Sequence, residues 1–256
     1  ERLMAYQAFA SYYDRLIGNE VDYRARARYF DALIRRYADT PEQNLLLDLA
    51  CGTGSLSVEL SAIGYDVIGV DASAEMLAEA AAKGRGKILF LCQAFDTLDL
   101  YGTVGAVVCA LDSLNHITDA AALEAAFARV ALFTAPGGVF VFDVNTPYKH
   151  REILADNTFV YDLGDLFCVW QNTTDASLQT EIALDFFLRS GACYTRESER
   201  FCERAYTHET LAKLLDQAGF DLCAVCEGDT FDPPGETAQR AVYIAKRRCG
   251  RATAVN

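Results

Sequence analysis

Between residues 40 and 146 short continuous apolar runs alternate with amphipathic stretches. Leu45-Leu-Leu-Asp-Leu-Ala50 has the unbroken apolar character of a strand buried on both faces. Gly52 and Gly54 interrupt it, and a short helix is predicted from there to Gly64. Asp66-Val-Ile-Gly-Val70 is the next strand, and Ser73 is placed to cap a helix through Lys83. Lys87–Cys92 and Gly105–Leu111 repeat the strand pattern, and a helix follows from about Asp119 to Phe133. Ala135-Pro-Gly-Gly138 predicts a turn into the strand Val139-Phe-Val-Phe-Asp143. Strand and helix alternating at this pace predict a doubly wound α/β fold, a parallel sheet with helices on both faces.

The pattern changes after Pro147. Residues 158–161, 166–171, 178–188 and 193–201 are strand-like, show partial in–out alternation and have no helix between them, so they are expected to pair antiparallel. Thr207 then caps a helix that ends at Gly219, and two strands close the chain near 221–226 and 240–246. The antiparallel stretch is therefore an insertion at 147–206, and residues 1–146 and 207–256 form the main domain. Residues 5–37, rich in aromatics, are expected to add one or two helices.

A formal net charge of −13 disfavours nucleic acid and anionic membranes as partners, since both require a basic surface. Arg24, Arg26, Arg28, Arg35 and Arg36 cluster near the start, where arginines at such spacing are expected on a solvated helix face. The nine cysteines are odd in number and scattered, and Cys92, Cys109 and Cys168 lie in apolar runs; they are expected to be small core residues in a reducing cytoplasm. Cys223-Ala-Val-Cys226 lies within a strand, where positions three apart face opposite sides, so redox or metal use is not expected. No run reaches the roughly 18 apolar residues of a membrane span. Glu1-Arg-Leu-Met4 carries no signal-peptide pattern, and Met4 is a candidate start. A cytoplasmic protein, monomeric or homodimeric, is expected.

The candidate chemistry centres on Asp48-Leu-Ala-Cys-Gly-Thr-Gly54, where a strand hands over to a helix. Gly52 and Gly54 permit a tight turn and let a ligand approach the main chain. Ser57 occupies the third position of G-x-G-x-x-G and weakens a dinucleotide fingerprint. Asp48 would repel a pyrophosphate, whereas it suits the ammonium of a bound amino acid. Asp71 ends the second strand, where a carboxylate can accept both hydroxyls of a ribose.

Taken with Tyr6-x-x-Phe9-Ala10-x-x-Tyr13-Asp14, Gly69-Val-Asp71-Ala-Ser73-x-x-Met76-Leu77, Leu111-Asp-Ser-Leu-Asn115, Pro136-Gly-Gly-Val-Phe-Val-Phe-Asp143 and Glu203-Arg-Ala-Tyr206, the glycine turn resembles that of class I S-adenosylmethionine (SAM)-dependent methyltransferases. The subgroup resembled is one of small-molecule-type enzymes carrying an antiparallel insertion after strand five. The resemblance implies a Rossmann-like, seven-stranded, mostly parallel sheet with an inserted antiparallel β subdomain over the acceptor site. It places the methionine part of SAM against Asp48, Ala50 and Gly52 of the turn that Gly54 completes, the ribose on Asp71, and the adenine beside Ala72 and Met76. Tyr13 and Tyr23 would close over the cofactor. One departure concerns the adenine: the family has an acid where this chain has Ala94, so Asp96 or the backbone of Ala94 and Phe95 must serve instead.

The methyl acceptor is expected beyond the carboxyl end of strand four, where Leu111-Asp112-Ser113-Leu114-Asn115-His116 follows. Asp112 is assigned to the cofactor side, Asn115 and His116 to the acceptor. His116 is the candidate base, one of only three histidines, with an ordinary pKa near 6.5. Asp143 and Asn145 are expected to face one side of strand five's end, orienting the acceptor; with Asp112 they could hold a divalent ion, but no metal is expected. From the insertion, Trp170, Phe186, Arg204 and Tyr206 are the most pocket-like residues. The expected function is methyl transfer from SAM to a small molecule. The alternatives are a non-catalytic SAM-binding protein and an NAD-dependent oxidoreductase, which Asp48 and Ser57 disfavour.

Overall fold

The computed structural model describes residues 21–39 and 43–249. The expectations at Met4, Tyr6, Phe9, Ala10, Tyr13 and Asp14 lie outside them. In chain order the elements are α1 (Tyr23–Tyr37), β1 (Leu45–Leu49), α2 (Ser55–Ala62), β2 (Asp66–Asp71), α3 (Ala74–Gly84), β3 (Leu89–Cys92), β4 (Val104–Cys109), α4 (Ala120–Phe133) and β5 (Thr134–Asn145). An inserted set follows: β6 (Thr158–Asp162), β7 (Leu166–Thr174), β8 (Gln179–Ser190) and β9 (Cys193–Arg204). The chain then returns with α5 (His208–Ala218), β10 (Phe220–Glu227) and β11 (Arg240–Arg247).

The main sheet has seven strands in the order β10-β11-β5-β4-β1-β2-β3, parallel except for β11, which runs antiparallel to both neighbours. Alternate residues of its central strands feed opposite cores. On one face Phe127, Leu211 and Leu215 of α4 and α5 pack on Leu47, Val107, Phe140 and Phe142. On the other, Phe30, Leu33 and Leu60 of α1 and α2 pack on Leu46, Val108 and Val141. Residues covered on both sides explain the unbroken apolar runs.

Side-chain caps start four helices: Asp22 for α1, Ser73 for α3, Asp119 for α4 and Thr207 for α5. The Ala135-Pro-Gly-Gly138 turn is absorbed into β5, where pairing with β4 slips between Val104 and Ala106. The local chemistry of Pro136 and Gly137 (φ 79°) survives as an irregularity within the strand.

The inserted strands form a separate antiparallel sheet in the order β6-β7-β8-β9. Its buried face, built from Leu166, Cys168, Ile182, Leu184 and Phe186, packs around Met76 at the start of α3. One methionine of the main domain thus keys into the inserted sheet. Phe186, expected in the pocket, is fully buried in this cluster. Cys92, expected in the core, is exposed, whereas Cys109 and Cys168 are buried; Cys223 is exposed and Cys226 buried, on opposite sides of β10. Among the described residues no helix is long and apolar enough to cross a membrane.

Candidate active site

Strand order reverses at β1, whose neighbours β4 and β2 lead in opposite directions across the sheet. Loops leaving β1 and β4 at such a switch point part and leave a crevice. A narrow cleft opens there, lined by Asp48 of β1, Ala50 and Gly52 of the first loop, Ser55 at the start of α2, Leu111 and Ser113 after β4, and Tyr23 from α1. Both loops hold strained backbone. Ala50 (φ 60°), Gly52 (φ 54°) and Gly54 (φ 72°) are left-handed after β1, as are Leu111 (φ 57°) and Asp112 (φ 53°) after β4. Left-handed non-glycine residues persist only where the surroundings over-determine them.

The two glycines do different work. A Cβ on Gly52 would meet no atom within 4 Å and would stand in open space, while a Cβ on Gly54 would come within 2.8 Å of the Ala80 Cβ and 3.1 Å of the Phe90 ring. Gly52 keeps the cleft open; Gly54, assigned above to the cofactor, is required by the packing of α3 and β3. Asp71 ties this turn to the next. Its two oxygens accept from the Gly52 N–H (2.8 Å) and the Ser73 N–H (2.9 Å). Burial raises its pKa, and the Ser73 and Gly52 N–H groups oppose the rise. Ala72 and Met76 stand just beyond, between β2 and the start of α3, and Met76 faces the inserted sheet. Asp48 is 1% exposed and accepts the Ser57 hydroxyl. Burial, reinforced by the charge of Asp71 and opposed by the Ser57 hydroxyl, pushes its pKa up to about 7. Ser57 is thus the partner of Asp48 within the fold.

At the expected adenine edge, Ala94 begins a single 3-10 turn, Phe95–Thr97. The Ala94 N–H and C=O both bond to the Thr97 hydroxyl, and Asp96 is exposed. The Phe95 side chain is half-buried against the main core.

On the acceptor side the strained Leu111–Asp112 pair is held by Asp143, which is fully buried. Its carboxylate accepts the Leu111 N–H (3.0 Å) and the Asp112 N–H (2.7 Å) and is flanked by the guanidinium groups of Arg26 (2.8 Å) and Arg240. Arg240 also pairs with Asp112 at 2.7 Å, and Asn145 donates to Asp112 at 2.9 Å. Burial alone would raise Asp112, but Arg240, Lys149 and His116 overcome it and hold the carboxylate at about 2. Asp143 is therefore a structural anion, not a residue that orients an acceptor, and no His, Cys, Asp or Glu cluster fit for a metal occurs among the described residues. Arg26, expected on a solvated face, is only 8% exposed and reaches across to β5.

Three residues expected at the acceptor act instead as fasteners. Asn115 donates to the Asn145 and Arg204 carbonyls and accepts the Asn145 N–H, and it is fully buried. Asn145 spends its side chain on Asp112 and Lys149. Tyr206 is buried, and its hydroxyl donates to the Ile117 carbonyl. Arg204 donates to the Thr118 carbonyl (3.1 Å) with its guanidinium over the Tyr206 ring. Trp170 is half-buried and donates to Asn172 at 2.6 Å. His116 keeps 30% of its side chain exposed, with its Nε2 3.7 Å from an oxygen of Glu203. Burial lowers its pKa, and the charge of Asp112 opposes that. Glu203, Arg240 and Lys149 were not singled out as site residues. The inward parity of β9 was the available signal for Glu203.

Comparison with known proteins agrees with this geometry. A model described as "Methyltransferase domain" matches residues 46–138. The chain is 32% identical over 250 residues, 95% of its length and 98% of the relative's, to "Putative methyltransferase YqeM" of Bacillus subtilis (strain 168). The crystal structure of an S-adenosylmethionine-dependent methyltransferase from Clostridium acetobutylicum ATCC 824 superimposes with a TM-score of 0.82 at 32% identity, covering 95% of this chain and 99% of that one. A dTDP-3-amino-3,6-dideoxy-alpha-D-glucopyranose N,N-dimethyltransferase from Streptomyces fradiae is 35% identical over 126 residues, 49% of this chain and 48% of that protein. The NAD-dependent alternative is set aside by these relationships. With a seven-stranded sheet of methyltransferase order and a full-length relative at 32% identity, the chain belongs to the class I SAM-dependent methyltransferases and is such an enzyme.

Proposed function

We propose that the enzyme methylates a small-molecule acceptor, a nitrogen nucleophile foremost, in a chamber between the post-β4 turn and the inserted sheet. The observation that carries this reading is the contact of Met76 with the buried face of β7 and β8. Seated on the helix that follows Asp71, the inserted sheet would bound the acceptor space and favour a compact acceptor over a macromolecule. The net charge of −13 points the same way. The amine preference is supported by the amino-sugar N,N-dimethyltransferase among the relatives.

When bound, SAM supplies a methyl carbon already activated by its sulfonium. What the chain adds is alignment and exclusion of water. In this reading Asp71 receives the ribose hydroxyls on the lone pairs left by the Gly52 and Ser73 N–H groups. Asp48, Ala50 and Gly52 receive the amino-acid end under Tyr23. The open space beside Gly52 is where that chain fits. His116, partly exposed, takes the proton of the nucleophile, and Trp170 and Arg204 border the chamber.

Incubation with methyl-tritiated SAM and a panel of small amines and alcohols, alongside a cell extract split at 1 kDa (an operational cut of about that size), tests the reading. Label is expected in small products, amines first. Label confined to the macromolecular fraction would refute it.

A further inference from the structure

Beyond the cofactor turn, the inserted sheet contributes a second chemical feature. Along β9 the side chains alternate: Arg200 is exposed, whereas Glu199 and Glu203 are buried with Phe201 between them on the inner face. A strand so patterned would ordinarily carry apolar residues at all three inward positions. Glu203 is 4% exposed, opposite Thr180 in the register of β8 and β9. Its Oε1 lies 3.7 Å from the Nε2 of His116, close enough for a short side-chain adjustment to join them. The Phe201 ring lies 5.3 Å from the imidazole centre, so carboxylate and aromatic wall reach His116 from the same strand. The backbone bearing His116 belongs to the 3-10 turn Ser113–His116 after β4, and Asn115 pins that turn to Asn145 and to the carbonyl of Arg204, next to Glu203.

We propose that Glu203, delivered by the inserted sheet, is the positioning residue that holds the His116 imidazole by its Nε2 edge and leaves Nδ1 to take the acceptor's proton. The inference rests on the methyl-transfer reading of the site. A carboxylate in this role fixes the tautomer and orientation of the imidazole and stabilises the imidazolium that forms. As the nucleophile's new bond to the methyl carbon forms, the carbon–sulfur bond breaks and leaves its electron pair on sulfur. The nucleophile's proton passes to Nδ1, and the resulting imidazolium faces Glu203 until the proton is released to water. The competent state has Glu203 ionised and His116 neutral.

The groups that face this pair set when that state is populated. Burial and the charge of Asp112 push Glu203 up to about 8, while Lys149, Asn145 and Arg240 oppose the rise. For His116 burial lowers the pKa and Asp112 raises it. The competent form therefore grows as pH rises through about 8.

The test is histidine NMR of the full-length protein saturated with S-adenosylhomocysteine. Only three histidines must be resolved, and loss of one signal in His116→Gln assigns His116. In the wild type the His116 ring protons are expected to sense a titration near pH 8; in Glu203→Gln that step disappears, and in Glu203→Asp it is retained. With an accepted substrate, Glu203→Gln is expected to lower kcat on the order of 10²-fold with KM nearly unchanged, the size of a misoriented base. A His116 titration superimposable between wild type and Glu203→Gln, with the His150 and His208 signals intact, would overturn the proposal. Should Glu203→Gln fail to fold, loss of the step near pH 8 in a folded Glu203→Asp protein would overturn it instead. Failure of the wild type to bind S-adenosylhomocysteine would count against the cofactor site, a separate outcome.

Discussion

Replacing Asp48 by Asn probes the floor of the cofactor cleft. The side chain is 1% exposed, bonds to the Ser57 hydroxyl, and has its pKa pushed from 3.8 to about 7, mainly by burial. The folded state holds this proton more tightly than the unfolded chain does. The favourable contribution is therefore complete below about pH 4 and is lost as pH rises through 7. The gap from 3.8 to about 7 corresponds to about 4 kcal/mol at full ionisation. Asn is nearly isosteric, can still accept the Ser57 hydroxyl, and never ionises. The ligand-free variant should match the wild type near pH 4, gain stability progressively to pH 7, and exceed it by up to about 4 kcal/mol above pH 8. Urea unfolding of both proteins at five pH values between 4 and 9 measures this directly. Parallel stability curves would refute the reasoning, because they would mean that Asp48 ionises without cost. The same substitution should weaken SAM and S-adenosylhomocysteine alike, since in this reading Asp48 faces the ammonium that both ligands carry.

Other substitutions separate the parts of the site. Arg26→Ala leaves the Asp143 carboxylate buried with one fewer cation and should cost about 3–5 kcal/mol in urea unfolding. Gly54→Ala drives a Cβ into Ala80 at a left-handed position, so it should lower stability by about 2–4 kcal/mol. Gly52→Ala meets no protein atom and should cost only the backbone strain of about 1–2 kcal/mol, yet reduce S-adenosylhomocysteine affinity at least about tenfold by calorimetry. Asp71→Asn replaces one of the two carboxylate oxygens by an amide donor and should weaken the same ligand about 10- to 100-fold.

The sheet was legible because its strands are covered on both faces. Leu45–Leu49 and Val139–Phe142 read as unbroken apolar runs that no surface strand would carry. The glycine turn was legible because its left-handed backbone, and at Gly54 its packing, demand glycine. Long-range pairing was not. Arg26 meets Asp143 across 117 positions and Arg240 meets it across 97, so the buried ion network behind the post-β4 turn has no local signature. The same blindness misassigned Asn115, Asn145 and Tyr206. Polar residues next to a site look like ligand contacts in sequence, and only the fold reveals that their hydrogen bonds close the joint between sheet and insertion. In β5, the Pro-Gly-Gly turn persists as an irregularity that pairs with neither neighbour, flanked by the pairings of Thr134 and Val139.

The central claim is that the crevice between β1 and β4 is a SAM site. Isothermal titration of the wild-type protein with S-adenosylhomocysteine, and in parallel with NAD, tests it most directly. The account predicts one saturable S-adenosylhomocysteine site per chain, weakened in Asp71→Asn, with no heat from NAD. Saturable NAD binding, or S-adenosylhomocysteine binding indifferent to Asp71→Asn, would contradict it.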